Sequence, residues 1–146
     1  VLNTFTGVPY RLEFVAKING REFYNDSKAT NVKSTQIALS SFKDSVILIL
    51  GGLDRGHSFD ELTSFLRPVK NIICYGETKD RIEEFADKNN ISVIKVNTID
   101  EAVKSAYNIS SIGDTILLSP ACASWDQFDS FETRGDRFKK VVEELK

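Results

Sequence analysis

The chain has 146 residues, enough for one domain and too few for two of ordinary size. With 41% hydrophobic and 27% charged residues its composition is that of a folded globule, which excludes disordered, collagen-like and low-complexity classes. Lys and Arg number 19 against 21 Asp and Glu, and the net charge of −2 excludes a broad affinity for nucleic acid or an anionic membrane, so any charged ligand has to be held by a local cluster.

In chain order, Val1 to Pro9 reads as a connecting segment and 10–146 as one domain. Arg11 to Ile18 and Arg21 to Asn25 alternate apolar and polar residues around Asn19-Gly20, the signal of a hairpin with a two-residue type I′ turn. A less regular helix is expected over Val32 to Leu39. Val46–Leu50, Asn71–Tyr75, Ser92–Val96 and Thr115–Leu118 are short, rich in Ile, Val and Leu, and bounded by polar residues or glycine, as buried parallel strands are. Between them Ser58 and Glu61 have the spacing of a capping box ahead of Leu62, Phe65 and Leu66. Ile82, Phe85 and Ala86 mark a second helix. Ile99, Ala102, Val103, Ala106 and Tyr107 mark a third, opened by a Thr98/Glu101 capping box, and Phe138, Val141, Val142 and Leu145 a last one. The alternation predicts an α/β domain: a mostly parallel sheet of about six strands, an antiparallel hairpin at its N-terminal edge, and helices on both faces.

Ligands of open α/β sheets collect beyond the carboxyl ends of the strands, and three loops there have unusual compositions. The loop Asn25-Asp26-Ser27-Lys28-Ala29-Thr30-Asn31 admits two readings. Asp26 or Asn31 is a helix cap; or Lys28, Thr30 and the helix amides hold an anion while Asp26 accepts from a ligand hydroxyl. Gly51-Gly52-Leu53-Asp54-Arg55-Gly56-His57 is neither a Walker A loop nor a dinucleotide fingerprint. It is either a glycine turn with a solvated arginine, or a place of close backbone approach where Arg55 grips a carboxylate bidentately. In Ser119 to Phe128 small residues precede Trp125 and Phe128, which with Phe131 either pack or wall a pocket; Cys122 is a buried small residue or a thiol nucleophile with no evident activating partner.

The two cysteines, Cys74 and Cys122, are too few for a disulfide framework, and the single histidine leaves little for a metal site, so none is expected. The longest apolar run, Val46–Leu50, falls far short of the roughly 20 residues of a membrane span, and no signal peptide opens the chain, so the cytoplasm is the default compartment. The absence of methionine hints at a piece of a longer protein.

Residues 25–31, the stretch Leu-Ser-Pro-Ala-Cys-Ala-Ser-x-Asp-Gln-Phe at 118–128, and Phe131, Arg134 and Gly135 beyond it resemble the C-terminal domain of the Mur ligases, ATP-dependent amide ligases of peptidoglycan precursor synthesis. The resemblance runs from Pro9 onward and is nearest to the branch that adds D-glutamate. It implies a Rossmann-like domain that brings in the amino acid and closes over two others, which hold the UDP-sugar and the ATP phosphates; a monomer is expected. Lys28, Thr30, Arg55, Ser124 and the backbone at Phe131 are then the contacts to D-glutamate; Arg11, Asp26 and Lys28 are those to the nucleotide. Mg²⁺ would accompany ATP, held mainly by another domain, and UDP-N-acetylmuramoyl-L-alanine would be the acceptor. The chain departs from the family pattern at Tyr10, where histidine is common, at Arg55, where lysine is, and at Trp125, where a smaller apolar residue stands. Without a phosphate-binding Gly-Lys-Thr loop these 146 residues are expected to be inactive by themselves. The rival readings are a stand-alone Rossmann-like module for a small acid or nucleotide, and a thiol enzyme using Cys122.

Overall fold

The computed structural model describes residues 9–146, so all of the proposed connecting segment except Pro9 lies outside the described residues. Six strands form one sheet in the order β1-β2-β6-β3-β4-β5. β1 (Glu13–Ile18) and β2 (Arg21–Asn25) pair antiparallel, with a bulge between Phe14 and Ala16. β2 then runs parallel to β6 (Thr115–Leu118), β6 to β3 (Val46–Gly51), β3 to β4 (Val69–Tyr75), and β4 to β5 (Ser92–Lys95). Asn19 and Gly20 both have positive φ, 48° and 83°, as a type I′ turn demands. β1 begins two residues later than its alternation suggests. Leu12 has φ 45° and donates its N–H to the Asp26 side chain instead of to a sheet ladder.

Period-two alternation in the central strands divides the core in two. Val46, Leu48 and Leu50 of β3, Ile72 and Cys74 of β4 and Leu117 of β6 face α1 (Val32–Leu39), the 3₁₀ helix Asp60–Phe65 and α2 (Lys79–Lys88). Ile47 and Ile49, Ile73 and Tyr75, Ile116 and Leu118 face α3 (Ile99–Ile109) and α4 (Phe131–Glu144). β3 is buried along its whole length because both faces are covered, which explains its unbroken apolar run. No helix among the described residues is long and apolar enough to cross a membrane.

The helix starts follow their caps, with three corrections. Thr98 accepts from the Glu101 N–H at 3.2 Å, but Glu101 Oε1 reaches past it to the Asn97 N–H at 2.8 Å. Ser58 and Glu61 form no capping box. The Ser58 hydroxyl takes the Asp60 N–H at 3.0 Å in a tight local turn, and the segment winds as a 3₁₀ helix with no side chain capping it. α4 starts two turns before its apolar stripe, at Ser130, whose hydroxyl accepts from the Thr133 N–H at 3.1 Å.

The crossover direction reverses at the β3/β6 junction, so the crevice of the sheet opens there. Asn25, Leu118 and Ile49 are register partners across β2, β6 and β3, and the three loops therefore leave the sheet side by side. Gly51 and Gly52 begin one of them with φ of 142° and 146°. A Cβ on Gly52 would lie 2.4 Å from the Ala123 carbonyl oxygen and 2.8 Å from Cys122 Cβ. Gly52→Ala should therefore lower the unfolding free energy by about 3 kcal/mol or more, read as a lower urea midpoint at unchanged m-value.

Candidate functional site

The loop after β2 is folded tightly by its own backbone. The Ala29 N–H donates to Asp26 O at 2.9 Å, and the Thr30 N–H donates to Lys28 O at 2.9 Å, a γ-turn centred on Ala29. This reversal sends Lys28 and Thr30 into different cavities. Asn31, not Asp26, is the helix cap: its side chain accepts from the Ser34 N–H at 2.9 Å.

One cavity, of about 300 Å³, is lined by Thr30, Arg55, Ala123, Ser124, Trp125, Ser130, Phe131 and Glu132. Four of the five residues expected to contact the amino acid thus converge there, from three separate strand ends and the start of α4. Ser124 is 2% exposed, and its carbonyl closes the turn into Gln127 and Phe128. The Phe131 carbonyl accepts from Ser27 Oγ at 2.7 Å, so the group that Phe131 can offer a ligand is its N–H, at the first position of α4. A wider recess of about 570 Å³ shares Thr30 and Arg55 and reaches the N-terminus of α1 at Val32 and Lys33. Arg55 and Thr30 therefore stand between the positive ends of two helices, an arrangement that favours anions. Glu132 is the one carboxylate on the wall of the smaller cavity.

Lys28 does not line that cavity. With Arg11, Leu12, Asp26, Ala29, Ser34, Ile37 and Ala38 it lines a second one of about 280 Å³, which gathers all three residues assigned to the nucleotide. Asp26 is only 4% exposed and its oxygens are already engaged, Oδ1 by the Leu12 N–H at 3.1 Å and Oδ2 by Ser119 Oγ at 2.7 Å. Burial pushes its carboxyl up to about 6, against the opposing pull of those two donors and of Arg11.

The glycine loop is held by side chains that its own sequence does not reveal. Buried Thr78 accepts the Gly52 N–H at 3.2 Å and donates to the Gly52 carbonyl at 3.3 Å. Arg81 pairs with Asp54 at 2.9 Å and also donates to the His57 carbonyl. The fold brings His57 Nε2 to 3.8 Å from Cys122 Sγ, a proximity invisible in the sequence. Nε2 lies closer, at 3.2 Å, to the Ala121 carbonyl, which can only accept, so that nitrogen carries the proton and is no base for the thiol. Cys122 is fully buried and its thiol is pushed up to about 11 by that burial, which removes the thiol-enzyme reading.

Arg134 is the group that sequence reasoning underrated. Wholly buried, it donates to Ser27 Oγ at 2.9 Å, Ser27 O at 2.7 Å and Cys122 O at 2.8 Å, and so ties the loops after β2 and β6 to α4. Its neighbour Gly135 has no room for a side chain: a Cβ would sit 2.6 Å from Tyr10 Cδ1 and 3.0 Å from Asn25 Nδ2. The spacing Phe131, Arg134/Gly135, Phe138 behind a Ser130 cap was the available signal for this early start of α4.

The family model described as "Mur ligase, glutamate ligase domain" matches residues 10–122. The chain belongs to the Mur ligase family. The UDP-N-acetylmuramoylalanine–D-glutamate ligase of Geobacillus sp. (strain WCH70) is 55% identical over all of this Mur ligase domain, which covers 33% of that protein. The chain thus spans about a third of the length of such curated relatives. Among solved structures, a murein peptide ligase from Psychrobacter arcticus 273-4 superposes with a TM-score of 0.65 at 16% identity, covering 95% of this chain and 31% of that one. A MurF ligase from Thermotoga maritima in complex with ADP gives 0.56 at 18% identity, covering 98% of this chain and 33% of that one. These two establish the Mur ligase fold of the domain.

Two outcomes follow. A raised carboxyl pKa adds stability below the unfolded value and loses it as pH climbs through the folded one, here between about 4 and 6. Asp26→Asn, accepting from the Leu12 N–H through Oδ1 and donating to Ser119 Oγ through Nδ2 in place of accepting from it, should gain on the parent across that window, levelling at up to about 3 kcal/mol above it, in urea titrations at pH 4.5 and 7.5. Ellman's reagent should find neither cysteine reactive in the native domain and both reactive in denaturant, since each thiol is buried.

Proposed function

We propose that this domain is the amino-acid-carrying lid of a cytoplasmic, monomeric ATP-dependent ligase that joins D-glutamate to UDP-N-acetylmuramoyl-L-alanine. The observation that carries the reading is the cavity in which Thr30, Arg55, Ser124 and the Phe131 N–H meet. A dicarboxylic amino acid needs two separated anion sites. Arg55 offers a bidentate cation on one loop, and the start of α4 with Ser124 offers neutral donors on another.

In this reaction ATP supplies a phosphoryl group to the acceptor carboxylate, and the D-glutamate amine displaces phosphate from the acyl phosphate, losing a proton as the amide forms. The part played by this chain is to bind and orient the amine. Fixing it against the activated carboxyl turns an encounter of two ligands into a step within one complex. Arg11 and Lys28 line the second cavity, where they would meet phosphate oxygens, with Asp26 behind them accepting from Leu12 and Ser119. Mg²⁺ would accompany ATP, held mainly by another domain; among the described residues no three or more His, Cys, Asp or Glu side chains are grouped to hold a metal ion.

The test is steady-state kinetics in the full-length enzyme. Arg55→Ala should raise KM for D-glutamate at least tenfold, about 1.4 kcal/mol, and Lys28→Ala should act chiefly on KM for ATP, since the two cations line different cavities. Ser124→Ala should cost less, because a neutral donor is lost. The 146-residue chain alone should release no phosphate from ATP in the presence of D-glutamate and UDP-N-acetylmuramoyl-L-alanine. Turnover indifferent to D-glutamate, or to Arg55→Ala, would sink the assignment.

A further inference from the structure

We propose that Trp125 is a positioning residue: its ring holds the Arg55 guanidinium at the wall of the cavity and thereby sets the preference for an amino acid with a second carboxylate. The inference rests on reading that cavity as the D-glutamate site.

Arg55 is exposed, and no carboxylate pairs with it among the described residues. The adjacent Asp54 is taken by Arg81 at 2.9 Å. Gly56, next in the loop, has nothing within 4 Å of where a Cβ would be, and its N–H donates to Asp54 Oδ1 at 2.8 Å, a bond that holds the backbone and does not restrain the arginine side chain. The contact that does so is the Trp125 ring, whose centroid lies 4.9 Å from the guanidinium carbon. An unrestrained arginine would forfeit rotamer freedom on every binding event, and stacking removes that loss beforehand.

Trp125 is suited to be the fixed partner. The residue is 63% exposed, an apolar side chain left in water, yet its neighbours are anchored. Ser124 is buried, Asp126 Oδ2 accepts the Glu77 N–H at 3.1 Å, and Gln127 Nε2 donates to the Asn97 carbonyl at 2.8 Å. The platform is rigid and the cation on it would otherwise be mobile. A guanidinium stacked through its face keeps its N–H groups free around the edge, so resting on Trp125 and gripping a carboxylate bidentately are compatible. A lysine ammonium has no such face and edge. The pair therefore selects for a planar anionic group at one end of the ligand, and its loss should matter for D-glutamate more than for the neutral isostere D-glutamine.

The experiment is a double-mutant cycle in the full-length enzyme, with KM and kcat measured for both amino acids. Trp125→Leu should raise KM for D-glutamate about fivefold while kcat stays within about twofold, narrow the D-glutamate over D-glutamine preference, and be largely rescued by Trp125→Phe. In an Arg55→Ala background, Trp125→Leu should add less than about twofold. Full additivity of the two substitutions, or an unchanged KM in Trp125→Leu, overturns the proposal. Should the parent enzyme not use D-glutamate at all, the functional reading fails first and the pairing is judged by fluorescence. Trp125 is the sole tryptophan of the 146-residue chain, so in that chain Arg55→Ala should increase its quenching by acrylamide, and unchanged quenching overturns the pairing.

Discussion

A guanidinium sealed in the protein interior, with no carboxylate paired to it among the described residues, organises this domain. Taking a cation out of water costs several kcal/mol, and Arg134 recovers it through three short bonds to Ser27 Oγ, Ser27 O and Cys122 O, each a charge-assisted bond of about 1.5–3 kcal/mol. The acceptors are chosen by position. They belong to two loops outside the regular strands and helices, already joined to each other through Ser119 and Asp26, which Arg134 ties to α4. α4 packs through Phe138, Val141 and Val142 against the sheet, and Arg134 transfers that rigidity to the loops.

With the loops fixed, the site's chemistry follows largely from the backbone. The γ-turn at Ala29 parts Lys28 from Thr30, so a single seven-residue loop serves two cavities, one lined by Arg11, Asp26 and Lys28 and the other reaching α4. Donors at the helix starts and the paired hydroxyl and amide contacts of Thr78 with Gly52 belong to the main chain or act on it. Few side chains are left to set identity: Arg55, Ser124, Thr30 and the carboxylate of Glu132. Asp26 carries a cost, since its burial opposes ionisation, and that cost is tolerated in the one cavity where Arg11 stands to offset it.

The strands were legible because each is a local pattern: an apolar run such as Val46–Leu50 needs no knowledge of its partners to be read. The three loops were legible by composition and by the rule that ligands sit beyond strand ends. What the sequence hid was contact between distant residues. Ser58 and Glu61 have capping-box spacing, yet Ser58 makes a shorter turn to Asp60. His57 and Cys122 meet across 65 positions, and their meeting has no catalytic consequence because Nε2 keeps its proton and donates it in a hydrogen bond to the Ala121 carbonyl. Arg55 and Trp125, on two separate loops, touch each other. Arg134 belonged to the motif that carries the family resemblance but had no role assigned to it, and only the assembled loops show that its place is inside.

The register row Asn25, Leu118 and Ile49 has a dimensional consequence. Neighbouring strands in a sheet stand about 4.8 Å apart, so the loops that leave β2 and β3 start about 10 Å from one another with the β6 loop midway. The pitch of the hydrogen-bonded ladder therefore acts as a gauge for ligand length. Exchanging a side chain on any of the three loops can alter which chemical group is gripped, but the distance between grips is ruled by main-chain pairing that no such exchange touches.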